Sequence, residues 1–309
     1  MKKIKTIFIV GPTASGKTGL GIKLARSFNG EVISADSMQI YKGIEIASAA
    51  PSIAEREGIV HHLISIREKN RQYSVCDFVN DANEILKDII SRNKVPFCVG
   101  GTGLYIDSFS QNIDFGESTK NEIVTKLQSR FINDGIEPLL KELETVDYAS
   151  FLKLNKNDTK RIIHALAVYY STGRTITERN ILSKNSEKNI DPLFIGLTFF
   201  DRENLYRRIN DRVDLMIKNG LLEEAKASYE LKDNKAAAFA IGHKEFFPFF
   251  NGEISLEQAI DNLKQKTRNY AKRQLTWFRK NKQINWIYAD KCVPYDSAFE
   301  LCRQFLERK

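Results

Sequence analysis

Cysteine is scarce in this chain of 309 residues, and its four copies are scattered. Cys76, Cys98, Cys292 and Cys302 form no C-x-x-C pair, so neither a disulfide framework nor a zinc site is expected, and they read as buried free thiols. Long apolar runs are missing too. No stretch approaches the roughly 18 residues of a membrane-spanning helix, and Met1-Lys-Lys-Ile-Lys-Thr enters a strand-like segment without the apolar region or cleavage site of a secretory leader. The expectation is a cytoplasmic protein with no membrane partner. The third scarcity is local: between Asn262 and Ala289 there is no Asp or Glu, against eight Lys or Arg. That segment equals the net charge of the whole chain, 47 − 39 = +8. A basic excess concentrated in this way points to a polyanionic partner.

What is present can bury a full core. With 42% hydrophobic and 28% charged residues, the chain has material for one large domain or two small ones. The apolar run Ile7-Phe-Ile-Val10 is followed by Gly11, Pro12, Thr13, Ala14, Ser15, Gly16, Lys17 and Thr18, and then by a helical pattern to about Phe28. This is the spacing G-x-x-x-x-G-K-[ST]. Its glycines let backbone N–H groups converge on phosphate oxygens, Lys17 adds charge, the Thr18 hydroxyl can face Mg2+, and the helix amino terminus adds positive potential. A glycine-rich turn is the plain alternative, but strand, loop and helix occur in the required order.

A second strand, Glu31 to Ala35, ends in Asp36. In an open α/β sheet, ligands gather at the carboxyl ends of strands, so Asp36 is expected beside the phosphate loop, facing a metal or a nucleophile. Capping of the next turn is its structural alternative. Ile59 to Ile66 alternates as a strand does, which points His61 and His62 to opposite faces and argues against a shared ion. A helix is expected over Val75 to Ser91, and a buried strand over Lys94 to Val99. That strand ends in Gly100-Gly-Thr102-Gly103, where glycines permit close approach to a ligand and Thr102 offers a hydroxyl. It lacks the Asp with which many nucleotide hydrolases hold Mg2+.

The pattern changes near residues 113–189. Polar helices are expected at Asn121 to Asn133, Ile136 to Thr145 and Asp158 to Thr172, between hinge-like pieces at 114–118 and 183–189. This reads as an all-helical insertion able to move against the α/β core. The core resumes with a strand over Pro192 to Phe200 and a helix on which Arg208 and Arg212, four apart, can reach one anion. That helix is expected to continue through Gly220. A long helix from about Ser255 to Lys282 sets Leu263, Tyr270, Ala271, Gln274 and Phe278 on one face. Lys264, Arg268 and Lys272 form one row, and Lys266, Arg273 and Lys280 another. With Tyr270 and Trp277 beside them, these rows suit a nucleic-acid backbone with stacked bases.

Taken together, the residues closely resemble the bacterial tRNA dimethylallyltransferases, also called tRNA isopentenylpyrophosphate transferases. The resemblance runs almost the whole chain, through Gly11 to Thr18, Ser34-Ala-Asp-Ser-Met-Gln-Ile-Tyr-Lys42, His61-His-Leu63, Gly100 to Tyr105, Asn157-Asp-Thr-Lys-Arg161, Ala240-Ile-Gly-His-Lys-Glu245 and Arg268 to Arg279. It implies an α/β fold with a P-loop kinase-like parallel sheet at 1–112 and 190–309, and a helical domain at 113–189 that contacts tRNA. The implied reaction transfers a dimethylallyl group from dimethylallyl diphosphate to N6 of adenosine 37 in UNN-reading tRNAs. Asp36 would be the base. Lys17, the loop amides, Arg212 first and Arg208 second, with Mg2+ at Thr18, would take the charge of the leaving pyrophosphate.

The resemblance further implies tRNA contacts by Asp36, Ser37, Met38, Gln39, Thr102, Lys160, Arg161, Ile162, Ile163, His164, Arg268, Lys272 and Arg273, with Thr102 and Gln39 meeting the flipped base. No obligate protein partner is implied. Ala50, His164 and His243 depart from the family pattern, where Lys, Arg and Tyr are usual, and an altered RNA affinity or tRNA choice is the expectation. A small-molecule P-loop kinase, an adenylate isopentenyltransferase and a non-catalytic RNA-binding protein are the alternatives.

Overall fold

The computed structural model describes residues 3–113, 119–184, 189–231 and 240–308. Both expected hinges fall largely outside these, at 114–118 and 185–188. The chain forms two compact units, Met1–Ser110 with Asn189–Lys309, and Gln111–Lys188. The larger unit opens with β1 (Ile4–Val10), α1 (Lys17–Ser27), β2 (Gly30–Ser34), α2 (Glu45–Ser48), β3 (His61–His62), α3 (Val75–Ser91), β4 (Val95–Gly100) and α4 (Gly103–Ser110). The smaller unit consists of α5 (Asn121–Asp134), α6 (Glu137–Val146), α7 (Tyr148–Lys153), α8 (Thr159–Thr172) and α9 (Ile176–Lys184). The larger unit then resumes with β5 (Ile190–Thr198), α10 (Arg202–Lys218), α11 (Leu221–Tyr229), a 3-10 turn at Lys244–Phe246, α12 (Phe247–Phe250), α13 (Leu256–Phe278), β6 (Asn285–Tyr288) and α14 (Pro294–Glu307).

The six strands lie in the order β3-β2-β4-β1-β5-β6, and every pair is parallel. A parallel sheet is covered on both faces, and the sequence shows it: Ile7–Val10 of β1 and Val95–Val99 of β4 are near-continuous apolar runs rather than alternations. On β1, Ile7 and Ile9 join the cluster made with Leu20, Leu24, Ala298 and Cys302 of α1 and α14. Phe8, on the other face, meets Phe109 at 5.9 Å and Phe194 at 5.0 Å between ring centroids. Phe78 of α3 stacks on Tyr105 of α4 at 4.3 Å. Burial of such rings stabilises by about 2–3 kcal/mol each, so the sheet is fixed from both sides and its carboxyl ends can carry loops.

Four expectations are corrected. The strand expected over Ile59 to Ile66 shrinks to His61–His62, because Leu63 and Ser65 take positive φ of 61° and 54°. The segment beyond them hydrogen-bonds residues 39 and 40 instead. The helix from Asp201 stops at Lys218, and Gly220, at φ 95°, caps a separate α11. The basic helix ends at Phe278, which leaves Lys280 and Lys282 beyond it. Only Cys98 and Cys302 are buried thiols; Cys76 is half-buried and Cys292 exposed.

In the smaller unit, Leu127, Leu139, Leu143, Ile162, Ile163 and Leu166 form the core. The short helices α7 and α9 are not expected from the residue pattern. They are tied together by the buried Asp147, which accepts from Ser150 N–H at 3.1 Å and from Thr177 Oγ1 at 2.6 Å.

Candidate active site

The Gly11–Thr18 loop leaves β1 and closes as a cradle before α1. Its path demands unusual backbone. Gly11 has φ 153°, Ala14 63° and Gly16 94°. A Cβ on Gly11 would sit 2.2 Å from the Leu197 carbonyl oxygen of β5, so no side chain fits there. Ser15 N–H donates to Pro12 O at 3.3 Å, and the Ser15 hydroxyl is buried without a hydrogen-bond partner. Lys17 Nζ donates back to Pro12 O at 3.2 Å. Burial first, and then the neighbouring Arg212, push the Lys17 ammonium down to about 8, while Asp36 opposes them.

Two cavities meet at this loop. One, of about 330 Å³, is walled by Lys17, Asp36, Arg212 and Tyr270, among others, with apolar surface from Val32, Ile64 and Leu263. A second, more open cavity of about 1060 Å³ contains Arg56, Arg208 and Asp211. Lys17, Thr18, Ala49, Pro51, Arg212 and Met216 line both. The structure therefore brings Asp36, Lys17, Thr18 and Arg212 together. Asp36 Oδ1 accepts from Met38 N–H at 2.9 Å, the turn-capping contact expected of an Asp there. The residue still lines the smaller cavity.

Arg212 and Arg208 project from α10 toward the loop. Burial and the charge of Arg208 hold the Arg212 guanidinium below its usual range, against the pull of Asp36. Arg208 Nε donates to Ala14 O at 3.1 Å, and its guanidinium lies over Phe199 at 5.6 Å. Two cations kept this close repel each other unless an anion sits between them.

Other expected residues fall differently. Thr102 does not line either cavity; its Oγ1 accepts from Ser37 N–H at 3.0 Å. The Gln39 amide is already engaged, accepting from Ser34 Oγ at 2.7 Å and donating to Ser48 O and Ala49 O. Ser37, Met38, Gln39 and Arg273 line the smaller cavity. Arg268 donates to Asn210 Oδ1 at 2.7 Å and Lys264 pairs with Asp214 at 2.6 Å, so these two members of the row face α10 rather than open solvent. Lys272 and Arg273 are exposed. Tyr270 turns into the cavity instead of outward.

On α8, Lys160, Arg161 and His164 are exposed, whereas the side chains of Ile162 and Ile163 are 0% and 6% exposed, packed in the helical core. His243 is likewise buried, against Glu224 at 2.9 Å. The same carboxylate accepts from Ile46 and Ala47 N–H, which fixes the wall that α2 contributes. His62 meets Glu31, and His61 bonds Ile59 O, so the two rings have separate partners.

Sequence reasoning missed Gln274 as a site residue and counted it on a packing face. Its Oε1 accepts from Thr13 N–H and its Nε2 donates to Gly101 O, both at 2.9 Å. The available signal was a polar residue at a position where the periodicity demands an apolar one.

A parallel sheet with a G-x-x-x-x-G-K-T loop on its first strand, Asp36 and Arg212 at the smaller cavity and Arg208 at the adjoining one has the architecture of a P-loop α/β group-transfer enzyme. A protein-family model described as IPP transferase matches residues 39–281, and the chain belongs to that family. The tRNA dimethylallyltransferase of Caldanaerobacter subterraneus subsp. tengcongensis is 42% identical over 312 residues, covering 99% of this chain and 98% of that one. That of Streptococcus agalactiae is 45% identical over 287 residues, 93% of each. Among solved structures, the tRNA isopentenylpyrophosphate transferase of Bacillus halodurans superposes with a TM-score of 0.71 at 36% identity, over 99% of this chain and 96% of that one. A eukaryotic dimethylallyltransferase acting on tRNA gives a TM-score of 0.85 at 31% identity, over 98% of this chain and 79% of that one.

Proposed function

We propose that the chain transfers the dimethylallyl group of dimethylallyl diphosphate to N6 of adenosine 37, beside the anticodon of UNN-reading tRNAs. The chain is a prenyltransferase that modifies tRNA, as its family and its relatives' names have it. The finer reading rests on one observation: Lys17, Arg212 and Asp36 converge on a cavity with apolar surface. That is what an allyl diphosphate and an amine require together. The N6 lone pair attacks C1 of the allyl group, the C1–O bond breaks, and Asp36 takes the N6 proton. The loop amides, Lys17, Arg212 and Arg208 hold the departing pyrophosphate, whose charge grows as the bond breaks.

Among the described residues, no group of three or more His, Cys, Asp or Glu is arranged to hold a metal ion. The donors present fit a Mg2+ held mainly by diphosphate oxygens, with the Thr18 hydroxyl as the protein's contribution. Bound there, Mg2+ would neutralise charge on the leaving group. Among the described residues no helix is long and apolar enough to cross a membrane, and the cytoplasm, where tRNA is handled, is the proposed location. The test is incubation with dimethylallyl diphosphate, Mg2+ and unmodified tRNA, followed by digestion of the RNA. Prenyl-adenosine at position 37 is expected. Its absence, with phosphate release from ATP, overturns the reading in favour of a kinase.

A further inference from the structure

We infer that Gln274 is a positioning residue for the transfer, a strut that fixes the phosphate loop against the loop following β4. The inference rests on the proposed function. Gln274 is 5% exposed, on the buried stripe of α13 between Ala271 at 0% and Phe278 at 2%. A buried amide is costly unless both of its ends are bonded, and these are. The partners also settle its orientation, since only one assignment pairs the acceptor with Thr13 N–H and the donor with Gly101 O.

The two loops it joins carry different halves of the reaction. Thr13 lies in the cradle proposed for the diphosphate. Gly101 leads to Thr102, whose N–H donates to Ala35 O at 3.2 Å and whose Oγ1 accepts from Ser37 N–H. These residues flank Asp36 on both sides. Packing here leaves no slack: a Cβ on Gly100 would lie 2.1 Å from Ala35 O, and one on Gly101 would lie 2.2 Å from Gln274 Nε2. One turn earlier, the Tyr270 phenol lies beside Thr102 and Gln274. Gln274 thus sets the spacing between the leaving group's cradle and the proposed base. In a displacement, that spacing decides the rate, with about 1 Å of misplacement costing on the order of 10²-fold.

The test uses Gln274→Met, close in length and volume but without the amide. Single-turnover rate at saturating dimethylallyl diphosphate and tRNA should fall about 10- to 100-fold, while tRNA affinity, which also reports the folded state, stays within about twofold, because binding cations such as Lys272 are untouched. A second pair of variants removes dependence on that single change. Gly101→Ala should slow the reaction by displacing the Gln274 amide, and Gly101→Ala combined with Gln274→Ala should be no slower than Gln274→Ala alone. A wild-type rate in Gln274→Met, or additive losses in the double variant, overturns the strut. If the unaltered protein forms no prenyl-adenosine, the proposed function fails instead. Pyrophosphate binding then reads the strut: several-fold weakening in Gln274→Met supports it, and unchanged affinity overturns it.

Discussion

Raising the pH from 7 to 10 will discharge Lys17 in the empty protein and not in the diphosphate complex. Burial and Arg212 push its ammonium from the usual 10.5 to about 8. At about 1.4 kcal/mol per tenfold change, this disfavours the charged form by about 3 kcal/mol. The unfolded chain keeps that proton up to about pH 10.5 while the folded chain loses it from about 8. The unfolded state therefore binds more protons between those values, and stability rises with pH across that window. Below about pH 8 the destabilisation is fully present. A bound diphosphate reverses the balance, because an anion beside Nζ restores the charge. At pH 9 the empty protein holds about a tenth of a proton on Lys17, so pyrophosphate binding will take up close to one. Titration of the labelled Lys17 Cε resonance gives the midpoint, and calorimetry in buffers of differing ionisation enthalpy gives the uptake. A midpoint above 10, or binding at pH 9 without proton uptake beyond that of the ligand itself, refutes the reasoning.

Asp36→Asn will leave tRNA binding within a few-fold and lower single-turnover prenylation by on the order of 10²-fold or more, as removal of a general base does; undiminished turnover would remove Asp36 from that role. Gly11→Ala will abolish pyrophosphate binding by calorimetry, since its methyl group would stand 2.2 Å from Leu197 O. On α8, Ile162→Ala will destabilise the helical unit by about 2–5 kcal/mol in a denaturant titration. Arg161→Ala will leave stability unchanged and weaken RNA binding with a shallower salt dependence.

Much of the sheet is legible because central parallel strands are short apolar runs that end in conspicuous turns: Ile7 to Val10 before the cradle, and Val95 to Val99 before two glycines. Lys17, Asp36 and Arg212 are legible for a related reason, since strand ends and the middle of α10 meet at the same crevice. Residues 59–66 are not. Their alternation reads as a strand, but positive φ at Leu63 and Ser65 breaks it, and the backbone of Ser65 and Ile66 bonds residues 39 and 40. Ile162 and Ile163 sit within a basic-looking segment, yet helical periodicity sends them inward beside Leu166. Gln274 is hidden because its value lies in two partners more than 170 residues away in sequence, at separations of 261 and 173, which no local pattern encodes.

The sheet's two flanks have a consequence for the behaviour of many copies in solution. β3 is two residues long and β6 four, so each border exposes only a few unpaired N–H and C=O groups. The inner strands run to nine residues and would make adhesive borders if uncovered. With such short outer strands, a neighbouring molecule finds too little ladder to extend, and edge-to-edge stacking into larger sheets is discouraged by length alone.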